Sequence, residues 1–540
     1  MNPSSGFDLR YAGLALLGAA HSLSFAPGPL PPWSLPFVQV FILAVLAFSV
    51  FRAPTLRSAA IAGFLFGFGN FAVGLYWLYI SMHYYGGMAL WLAVTAVLLL
   101  AAALSIFTAI AAGAARFLIG PAGSGPVRYQ QQLAAAAIWA SSWTMLEWLR
   151  GTLFTGFPWL NIGYAHVEGV LAGWAPVIGV YGLAWLAAFA AGAIALLAHA
   201  KDTENDAKAA AGVGLAIVAG LAGIALGHVA WSQPQGEPLI IRLAQGNVPQ
   251  SEKFDPRLIQ QGIASYMELA ALPPKEPDGA PHLIVLPETV MPLFQDNIAP
   301  PVWRQWLDIA AQRDARIIMG APLHDRHEGR DRYTNSAITF DAATPLGALL
   351  SGRPDGRYDK HHLVPFGEFV PAGFRWFVDQ MRIPLGDFDR GPQRQELFRH
   401  RGQVIAPDIC YEDVFGEEII QSVRDSEQWG PGATILLNLS NLGWFGDSWA
   451  LRQHLQISRM RALETARPMI RATNTGMTAA IDPNGAVRAV LQPMSKGVLD
   501  VEVQGMTGFT PYVRWGNTPV LSWSLLLLAA GVFNGRRRNA

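Results

Sequence analysis

Charge is distributed very unevenly along this chain, and this feature constrains its fold more than any other. Of the 39 basic and 39 acidic residues, only 14 lie in residues 1–231, and all the others lie in residues 232–540. Soluble domains carry charge at about a quarter of their positions. We therefore expect the first part in a membrane and the second part in water, which excludes a single soluble domain and a disordered chain.

Apolar segments of the length that crosses a membrane as a helix, roughly 20 residues, occur about eight times. Several are rich in Gly and Ala, as closely packed membrane helices often are. A removable signal peptide over residues 1–26 is an alternative, but only Arg10 supplies the basic charge that such a peptide needs. The predicted spans are Leu9–Phe25, Pro36–Phe51, Ala59–Tyr79, Met88–Ala112, Leu133–Leu149, Pro176–Leu197, Ala210–Trp231 and, after the charged part, Thr518–Phe533.

Basic residues between these segments predict the orientation, because cytoplasmic loops carry an excess of Lys and Arg. With both termini in the cytoplasm, only Arg150 lies in a short loop on the outer side. We expect a multi-pass protein of the bacterial inner membrane, with the charged part in the periplasm. The basic residues on the inner side are then Arg10, Arg52, Arg57, Arg116, Arg128, Lys201, Lys208 and Arg536–Arg538.

In the charged part, short aliphatic runs alternate with helical patterns. Helices are predicted over Pro256–Ala271, Val302–Ala315 and Trp449–Ala466. This mixture indicates a layered α/β domain, so the predicted organisation is residues 1–231 with seven spans, 232–515 as one soluble domain, and 516–540 with the eighth span. The predicted strands are Leu239–Ala244, His282–Leu286, Ala315–Met319, Ser336–Phe340, Gln403–Ala406, Thr434–Asn438, Met469–Ala472 and Met477–Ile481.

Cys410 is the only cysteine. In an oxidising compartment structural cysteines occur in pairs, so a single thiol there is either a small buried apolar residue or a reactive group. Cys410 ends a predicted strand and precedes the polar run Tyr411–Asp413. Catalytic residues are often placed at such strand ends, which favours a nucleophile.

A cysteine nucleophile needs a base that takes its proton and a cation or N–H group that stabilises the developing oxyanion. Glu288 closes the apolar run LIVLPE, where an unpaired carboxylate would be costly. Lys360 lies in RYDKHHLVPFGEFVP beside a turn at residues 365–367. Each residue alone is a weak indication, because most charged loop residues are simply solvated.

In this order and in these motifs, Glu288, Lys360 and Cys410 resemble the Glu–Lys–Cys triad of the nitrilase superfamily. The similarity is greatest to its membrane-bound branch, the apolipoprotein N-acyltransferases, and it extends over nearly the whole chain. One departure is at Leu442. Between Ser-Asn and Trp-Phe-Gly that family commonly has an Asp and a small residue, whereas this chain has Leu442 and Gly443. The segments that carry the resemblance are FGFGNFAVGLYWLYIS, EWLRGTLFTGFPWLNIGY, AQGNVPQSEKFD, LPET, YDKHHLVPFGEFVP, CYEDVF, SNLGWFG, QHLQISRMRALETARPMIRATNTG and TPY.

The resemblance implies a polytopic α-helical membrane bundle joined to an α/β nitrilase-like αββα sandwich domain. It implies that Cys410 takes an acyl chain from a phospholipid, typically phosphatidylethanolamine, and passes it to the α-amino group of a diacylglyceryl apolipoprotein. Glu288 would be the base, and Lys360 would stabilise the oxyanion together with a backbone N–H near Tyr411. No metal or other cofactor is expected. No nucleic-acid partner is expected either, because acidic and basic charges cancel.

Several further residues have a functional and a structural interpretation. Glu368 and Glu412 are expected to orient Lys360 or the thiol, the alternative being structural ion pairs. Three further pairs each either make a lipid or substrate contact or have an ordinary structural role. The structural alternative is an aromatic belt for Trp77 and Tyr79, a helix-end ion pair for Glu147 and Arg150, and core packing for Trp444 and Phe445.

Two other functions fit part of the sequence. A membrane-tethered nitrilase-type amidase that hydrolyses a small amide would need the same triad, but it leaves the seven leading spans unexplained. A transporter with a periplasmic binding domain predicts polar or broken helices near the middle of the bilayer, whereas ionisable residues here lie mostly near the helix ends.

Overall fold

A computed structural model describes residues 9–120, 129–200, 206–274, 279–327, 329–378 and 387–539. The chain divides into two units. The helical unit consists of Met1–Tyr79, Leu90–Val229 and Trp515–Ala540, and the sheet unit consists of Ile80–Ala89 and Ala230–Arg514.

In the helical unit a long helix lies at each of the eight predicted positions. The ends of these helices differ from the ends of the predicted apolar segments by several residues, because some helices continue into polar flanks such as Gln130–Gln132 and Arg536–Arg538. The eight helices are Leu9–Ser22, Leu35–Phe51, Leu56–Gly74, Leu90–Ile119, Tyr129–Arg150, Ala175–Ala200, Asp206–Leu226 and Thr518–Asn539.

Within the described residues, four helical stretches are both long and apolar enough to cross a membrane. They are Pro32–Phe51, Leu56–Gly74, Leu90–Ile119 and Ala172–Ala198. Two shorter apolar helices, Ala210–Leu226 and Thr518–Phe533, approach this length. A membrane-spanning bundle is therefore supported by four helices, and the full number of eight spans stays a prediction.

Small residues allow two of these helices to pack closely. A side chain at Gly63 or Gly67, on the helix Leu56–Gly74, would collide with Thr108 on the helix Leu90–Ile119. The Thr108 hydroxyl donates a hydrogen bond of 2.9 Å to the Gly63 carbonyl. Close backbone approach and interhelical hydrogen bonds are the interactions that hold helices together in lipid.

The described residues of the sheet unit form two six-stranded sheets, whose twelve strands are numbered here in chain order. One sheet has the order β12-β1-β2-β3-β4-β5, and the other has the order β11-β10-β9-β8-β7-β6. A separate pair of short strands joins residues 233–234 to 506–507. The twelve strands are β1 Leu239–Gln245, β2 Leu283–Val285, β3 Arg316–His327, β4 Arg330–Phe340, β5 Gly356–Asp359, β6 Phe398–His400, β7 Gln403–Ile409, β8 Ile435–Ser440, β9 Met469–Thr473, β10 Ala479–Ile481, β11 Val487–Val490 and β12 Gly497–Val503.

The centre of each sheet is parallel and its edges are antiparallel. Strands β1, β2 and β3 are parallel to one another, as are β7, β8 and β9. Parallel strands are usually covered on both faces and are apolar throughout. The aliphatic sequences of β2 and β8, LIV and ILLNLS, have this character.

Alternate residues of the central strands face different layers. In β8, Ile435, Leu437 and Leu439 belong to the core between the two sheets, whereas Leu436 faces the helices on the outer side. In β2, Ile284 likewise faces away from the other sheet, toward the tryptophans of an outer helix. The layers are therefore helix, sheet, sheet and helix, which confirms the predicted αββα sandwich.

The helices of the sheet unit lie in these two outer layers and in the loops. Ile259–Ala271 and Pro300–Arg313 cover the first sheet, and Gly416–Val423 and Trp449–Thr465 cover the second. The three predicted helices are confirmed within three residues at each end. Shorter α-helices of this unit occur at Gln250–Lys253, Leu346–Leu350, Arg375–Val378 and Pro511–Trp515, and 3₁₀ turns at residues 410–414 and 442–445. Another short helix, Trp77–Ile80, belongs mostly to the helical unit.

All eight predicted strands are present in the two six-stranded sheets, and the four other strands of these sheets were not predicted. Three of these, β5, β6 and β11, have only three or four residues, too few for a clear alternation. The fourth, β12, carries Asp500 and Glu502 between apolar residues and is an edge strand. Charged residues on an edge strand protect a sheet from pairing with another chain. The same charges interrupt the apolar pattern by which a strand is predicted from the sequence.

A buried ion pair joins β12 to β1 and provides a test of the fold. Arg242 in β1 is fully buried and binds Asp500 through two hydrogen bonds of 2.8 Å. Removal of one partner of a buried pair costs about 3 kcal/mol. We expect Asp500→Ala to lower the thermal midpoint of the sheet unit by about 5 °C or more, as measured by fluorescence in detergent.

The exposed pair between Lys496 and Glu268 is the matched control. Because such pairs contribute at most about 1 kcal/mol, Lys496→Ala should leave the midpoint nearly unchanged. Equal midpoints for the two variants would show that the Arg242 pair does not stabilise this sheet edge.

Candidate active site

Polar residues follow the ends of four strands, on both sheets. Cys410 comes directly after β7 and Asn441 directly after β8, so these two neighbouring strands of one sheet end at adjacent positions. On the other sheet, Glu288 follows β2 by three residues and Lys360 follows β5 directly. The ends of central strands in layered α/β folds are frequent positions for active sites.

Three ionised side chains form a buried cluster. Lys360 Nζ lies 2.9 Å from Glu368 Oε1 and 3.4 Å from Glu288 Oε1, and its side chain is 1% exposed. Asn335 lies between the two carboxylates and donates to both, at 2.7 and 2.8 Å. Val364 donates its backbone N–H to the second oxygen of Glu368 at 2.8 Å. Each carboxylate is therefore fixed by several donors.

Cys410 faces this cluster. The residue as a whole is half-buried, and its thiol interacts electrostatically with Glu288, Lys360 and Glu368. Its backbone has a positive φ of 54°, which is uncommon for a residue other than Gly and is often seen at functional sites. The backbone N–H of Asn441 donates to Glu288 Oε2 at 2.9 Å and also interacts with the sulfur.

The charges of the cluster determine the resting state of the thiol. Burial raises the pKa of Cys410, and the Glu288 and Glu368 carboxylates raise it further, outweighing the opposite effect of Lys360. Burial alone would lower the pKa of Lys360, but Glu368, Glu288 and Cys410 together raise it. The site therefore holds a neutral thiol beside an ammonium group, with a carboxylate in position to accept the thiol proton.

Glu412 and Tyr411 lie on the turn that carries the thiol. Glu412 Oε1 accepts from the backbone N–H groups of His361 and His362, at 2.7 and 3.0 Å, and its Oε2 accepts from Ile409 at 2.7 Å. Glu412 therefore ties the loop after Lys360 to the end of β7. The Tyr411 ring is buried and packs edge to face against His362.

Sequence reasoning missed Lys253, which lies on the helix Gln250–Lys253. Its Nζ donates to the Glu288 carbonyl at 3.1 Å, and its side chain is buried. Burial lowers the pKa of Lys253 to about 7, partly offset by Glu288 and Cys410. A lysine in the polar segment PQSEKFD gives no signal of its own, because its sequence does not show that it is buried. Asn335 and Asn441 were missed for a similar reason.

Aromatic residues of three segments meet within the sheet unit. The Trp444 ring lies 6.4 Å from Phe254 and 6.3 Å from Tyr85, and all three residues are half-buried. Phe445 is also half-buried. Trp444 is therefore packed against other aromatic rings while keeping some exposed surface. Contact of Trp444 and Phe445 with an acyl chain stays a prediction.

The four remaining residues with a predicted lipid contact lie in the helical unit. Trp77 is buried, and its ring lies 5.2 Å from Trp159. Tyr79 is half-buried. Their place at a lipid entrance stays a prediction.

Glu147 and Arg150 are both buried and lie 3.8 Å apart, as an i,i+3 pair. Arg150 donates to the carbonyls of Phe157 and Trp159, at 2.5 and 2.7 Å, and Glu147 accepts from Ile162 N–H at 3.2 Å. These contacts favour the structural interpretation, in which the pair fixes the loop after its helix. A headgroup contact stays a prediction.

The part of the chain that the structure describes contains no group of three or more His, Cys, Asp or Glu side chains arranged to hold a metal ion. His361 and His362, adjacent in sequence, have separate partners. His361 Nδ1 lies 2.8 Å from the Gly391 carbonyl, and His362 Nδ1 lies 2.9 Å from Glu418 Oε1.

Comparisons with known proteins agree with this architecture. Residues 241–512 match the model of the carbon-nitrogen hydrolase family, so the sheet unit has the fold of the nitrilase superfamily. Residues 17–193 match the N-terminal domain of apolipoprotein N-acyltransferase. The whole chain belongs to the apolipoprotein N-acyltransferase family, which confirms the resemblance seen in its motifs.

Curated relatives named apolipoprotein N-acyltransferase cover nearly the full chain. The protein of Bordetella bronchiseptica is 55% identical over 97% of this chain and 96% of its own length. That of Ralstonia nicotianae is 45% identical over 98% and 95%, and that of Nitrosomonas europaea is 40% identical over 99% of both. The similarity therefore includes both units.

The cluster predicts opposite effects of two substitutions on the thiol. Glu288→Gln removes a negative charge beside Cys410 and should lower the pKa of the thiol by about 1–3 units, whereas Lys360→Met removes the cation and should raise it. The pH dependence of alkylation by iodoacetamide, followed by mass spectrometry, measures this directly because the chain has one cysteine.

The exposed Glu427, in a loop of the same unit, provides the control: Glu427→Gln should leave the alkylation profile unchanged. A thiol pKa that rises in Glu288→Gln would contradict the assigned electrostatics. Thermal midpoints of all three variants should be measured alongside, because Lys360 is buried.

Proposed function

We propose that this chain transfers an acyl chain from a phospholipid, through a thioester on Cys410, to the α-amino group of a diacylglyceryl apolipoprotein. The observation that carries the proposal is the cluster of Cys410, Glu288 and Lys360 within one buried site. Membership of the apolipoprotein N-acyltransferase family and the apolar helices of the helical unit support the choice of lipid substrates. Phosphatidylethanolamine is the proposed donor.

In the first half-reaction, Cys410 attacks the carbonyl carbon of the sn-1 ester. Glu288 takes the thiol proton as the S–C bond forms, and Lys360 together with a backbone N–H near Tyr411 stabilises the negative charge on the carbonyl oxygen. When the C–O bond breaks, Glu288 returns the proton to the departing oxygen. The products are a lysophospholipid and an acyl thioester on Cys410.

In the second half-reaction, the α-amino nitrogen of the apolipoprotein's first cysteine attacks the thioester carbon. Glu288 accepts a proton from the nitrogen, the C–N bond forms and the C–S bond breaks. The departing sulfur takes the proton back and becomes the neutral thiol again. The raised pKa of Cys410 favours this last step, because the thiol is its stable form in the site.

Glu368 and Glu412 have supporting roles in this proposal. Glu368 holds the Lys360 ammonium at 2.9 Å, and so directs it toward the oxyanion. Glu412 accepts from backbone groups on both sides of the site and thereby sets the distance between the Lys360 loop and the thiol. The half-buried Trp444 provides apolar surface for an acyl chain.

For the whole chain we propose the predicted domain arrangement. Residues 1–231 and 516–540 anchor the protein in the bacterial inner membrane, and residues 232–515 form the catalytic domain in the periplasm. Both lipid substrates are anchored in the outer leaflet of that membrane, so a tethered domain meets them at high effective concentration.

The transfer is tested with purified protein, vesicles of phosphatidylethanolamine and a fluorescent diacylglyceryl lipopeptide. We expect Cys410→Ala to abolish acylation of the lipopeptide, and Glu427→Gln to retain it. With the lipopeptide withheld, mass spectrometry should find an acyl group on Cys410. Acylation by Cys410→Ala would exclude the nucleophile, and release of free fatty acid without lipopeptide acylation would favour a hydrolase.

The orientation is tested with single cysteines placed in the Cys410→Ala background. Glu427→Cys lies on the proposed periplasmic side and Arg57→Cys on the proposed cytoplasmic side, and both positions are exposed. A maleimide that does not cross the inner membrane should label only the first in intact cells and both after lysis. Labelling of the Arg57 position in intact cells would reverse the proposed topology.

A further inference from the structure

The Cys410 carbonyl is held by two side chains from different elements. His454 Nε2, on the helix Trp449–Thr465, lies 3.1 Å from this oxygen, and Asn438 Nδ2, on β8, donates to it at 3.3 Å. This carbonyl belongs to the residue with the positive φ of 54°. A side chain in that backbone region costs about 1–2 kcal/mol, so the surrounding contacts have to maintain it.

His454 is itself fixed as a donor toward Cys410. Its Nδ1 accepts a hydrogen bond of 2.8 Å from Arg471 Nη2, which leaves the proton on Nε2. Burial, together with the charges of Arg471 and Lys360, holds the pKa of His454 well below its usual value. The imidazole is therefore neutral near pH 7, with its proton on Nε2.

Arg471 is in turn held by a fully buried network. Its Nη1 donates to the His454 carbonyl at 2.9 Å, contacts the Ser458 hydroxyl, and lies 3.6 Å from Asp413 Oδ2. Ser458 also donates to Asp413. The imidazole orientation is thus determined by residues of β9, of its own helix and of the turn that carries Cys410.

Asn438 is fixed in the same way. Its Nδ2 also donates to Asp408 Oδ1 at 2.5 Å, and its Oδ1 accepts from Ser440. Asp408 lies on β7, the strand that leads to Cys410. The amide orientation is therefore assigned by partners on both sides, and its N–H faces the Cys410 carbonyl.

The carbonyl of Cys410 and the N–H of Tyr411 belong to one planar peptide group. In a trans peptide the two bonds point in opposite directions. Whatever holds the carbonyl on one side of the turn therefore directs the Tyr411 N–H to the other side. That N–H is the backbone donor assigned to the oxyanion in the proposed mechanism.

We propose that His454 and Asn438 are positioning residues that fix the peptide between Cys410 and Tyr411, and thereby aim both the sulfur and the oxyanion donor at the acyl carbon. This inference rests on the proposed acyl transfer. Neither residue takes or gives a proton during the reaction. Their effect is confined to the transition state, where the oxyanion exists.

The test compares His454→Phe, which keeps a planar ring without a donor, with His454→Gln, whose amide can replace Nε2–H. His400→Phe on the edge strand β6 is the control. We expect His454→Phe to slow formation of the Cys410 thioester by about 10–100-fold, through kcat with KM for the phospholipid little changed. His454→Gln should recover most of the rate, and Asn438→Leu should resemble His454→Phe.

Alkylation of Cys410 by iodoacetamide separates positioning from folding, because this reaction forms no oxyanion. Its rate and pH profile should stay within about twofold of wild type in His454→Phe. A parallel loss of alkylation and thioester formation would overturn the proposal in favour of a structural role, as would equal rates for the Phe and Gln variants or an unchanged rate in His454→Phe. If wild type itself forms no thioester, the proposed function fails instead.

Discussion

The active site depends on keeping one ammonium and two carboxylates together inside a protein. A buried charge is costly unless it is paired and hydrogen-bonded. The Lys360 ammonium has both carboxylates as partners, and each carboxylate also accepts from at least one neutral donor. Asn335 donates to Glu288 and Glu368 together. Because these partners come from β4, β5 and the loops that follow, the cluster can exist only when the first sheet has formed. Stability of the sheet and competence of the site are therefore coupled.

The second sheet contributes Cys410, the proposed nucleophile, and the two sheets meet in the contacts of Asn441. Its backbone N–H touches Glu288 of one sheet and the sulfur of the other, while its side chain binds Gln250 at 2.9 Å. The inter-sheet core beneath, with Val285 of β2 and Leu439 of β8, holds the strand ends at fixed separation. The packing of the two sheets therefore brings Glu288, Lys360, Cys410 and Asn441, which are distant in the sequence, into one site.

Much of this could be read from the sequence, and the limits have physical reasons. The apolar strands β1, β2, β7 and β8 were predicted because both faces are buried, and Glu288 and Cys410 stood out as polar residues at their ends. The partners that hold these residues could not be found in this way. Lys253 and Asn335 are ordinary in their local sequence and gain their roles from contacts with residues 35 and 47 positions away. The segment Leu133–Leu149 was predicted as a span. The helix that contains it, Tyr129–Arg150, carries several polar residues and is not among the four described helices that are long and apolar enough to cross a membrane.

A raised thiol pKa at first looks unfavourable for a nucleophile, since the thiolate is the reactive form. Thiolate character also determines how readily a cysteine is oxidised, so a thiol that stays protonated at rest is less open to oxidation. With Glu288 and Glu368 opposing Lys360, the pKa of Cys410 is raised and the neutral thiol is its resting form. In the proposed mechanism, the developing oxyanion of a bound ester would change this balance of charge in favour of proton transfer to Glu288. In the proposed mechanism, the excess of negative charge in the cluster would protect the resting thiol and would restore it after the acyl chain has left.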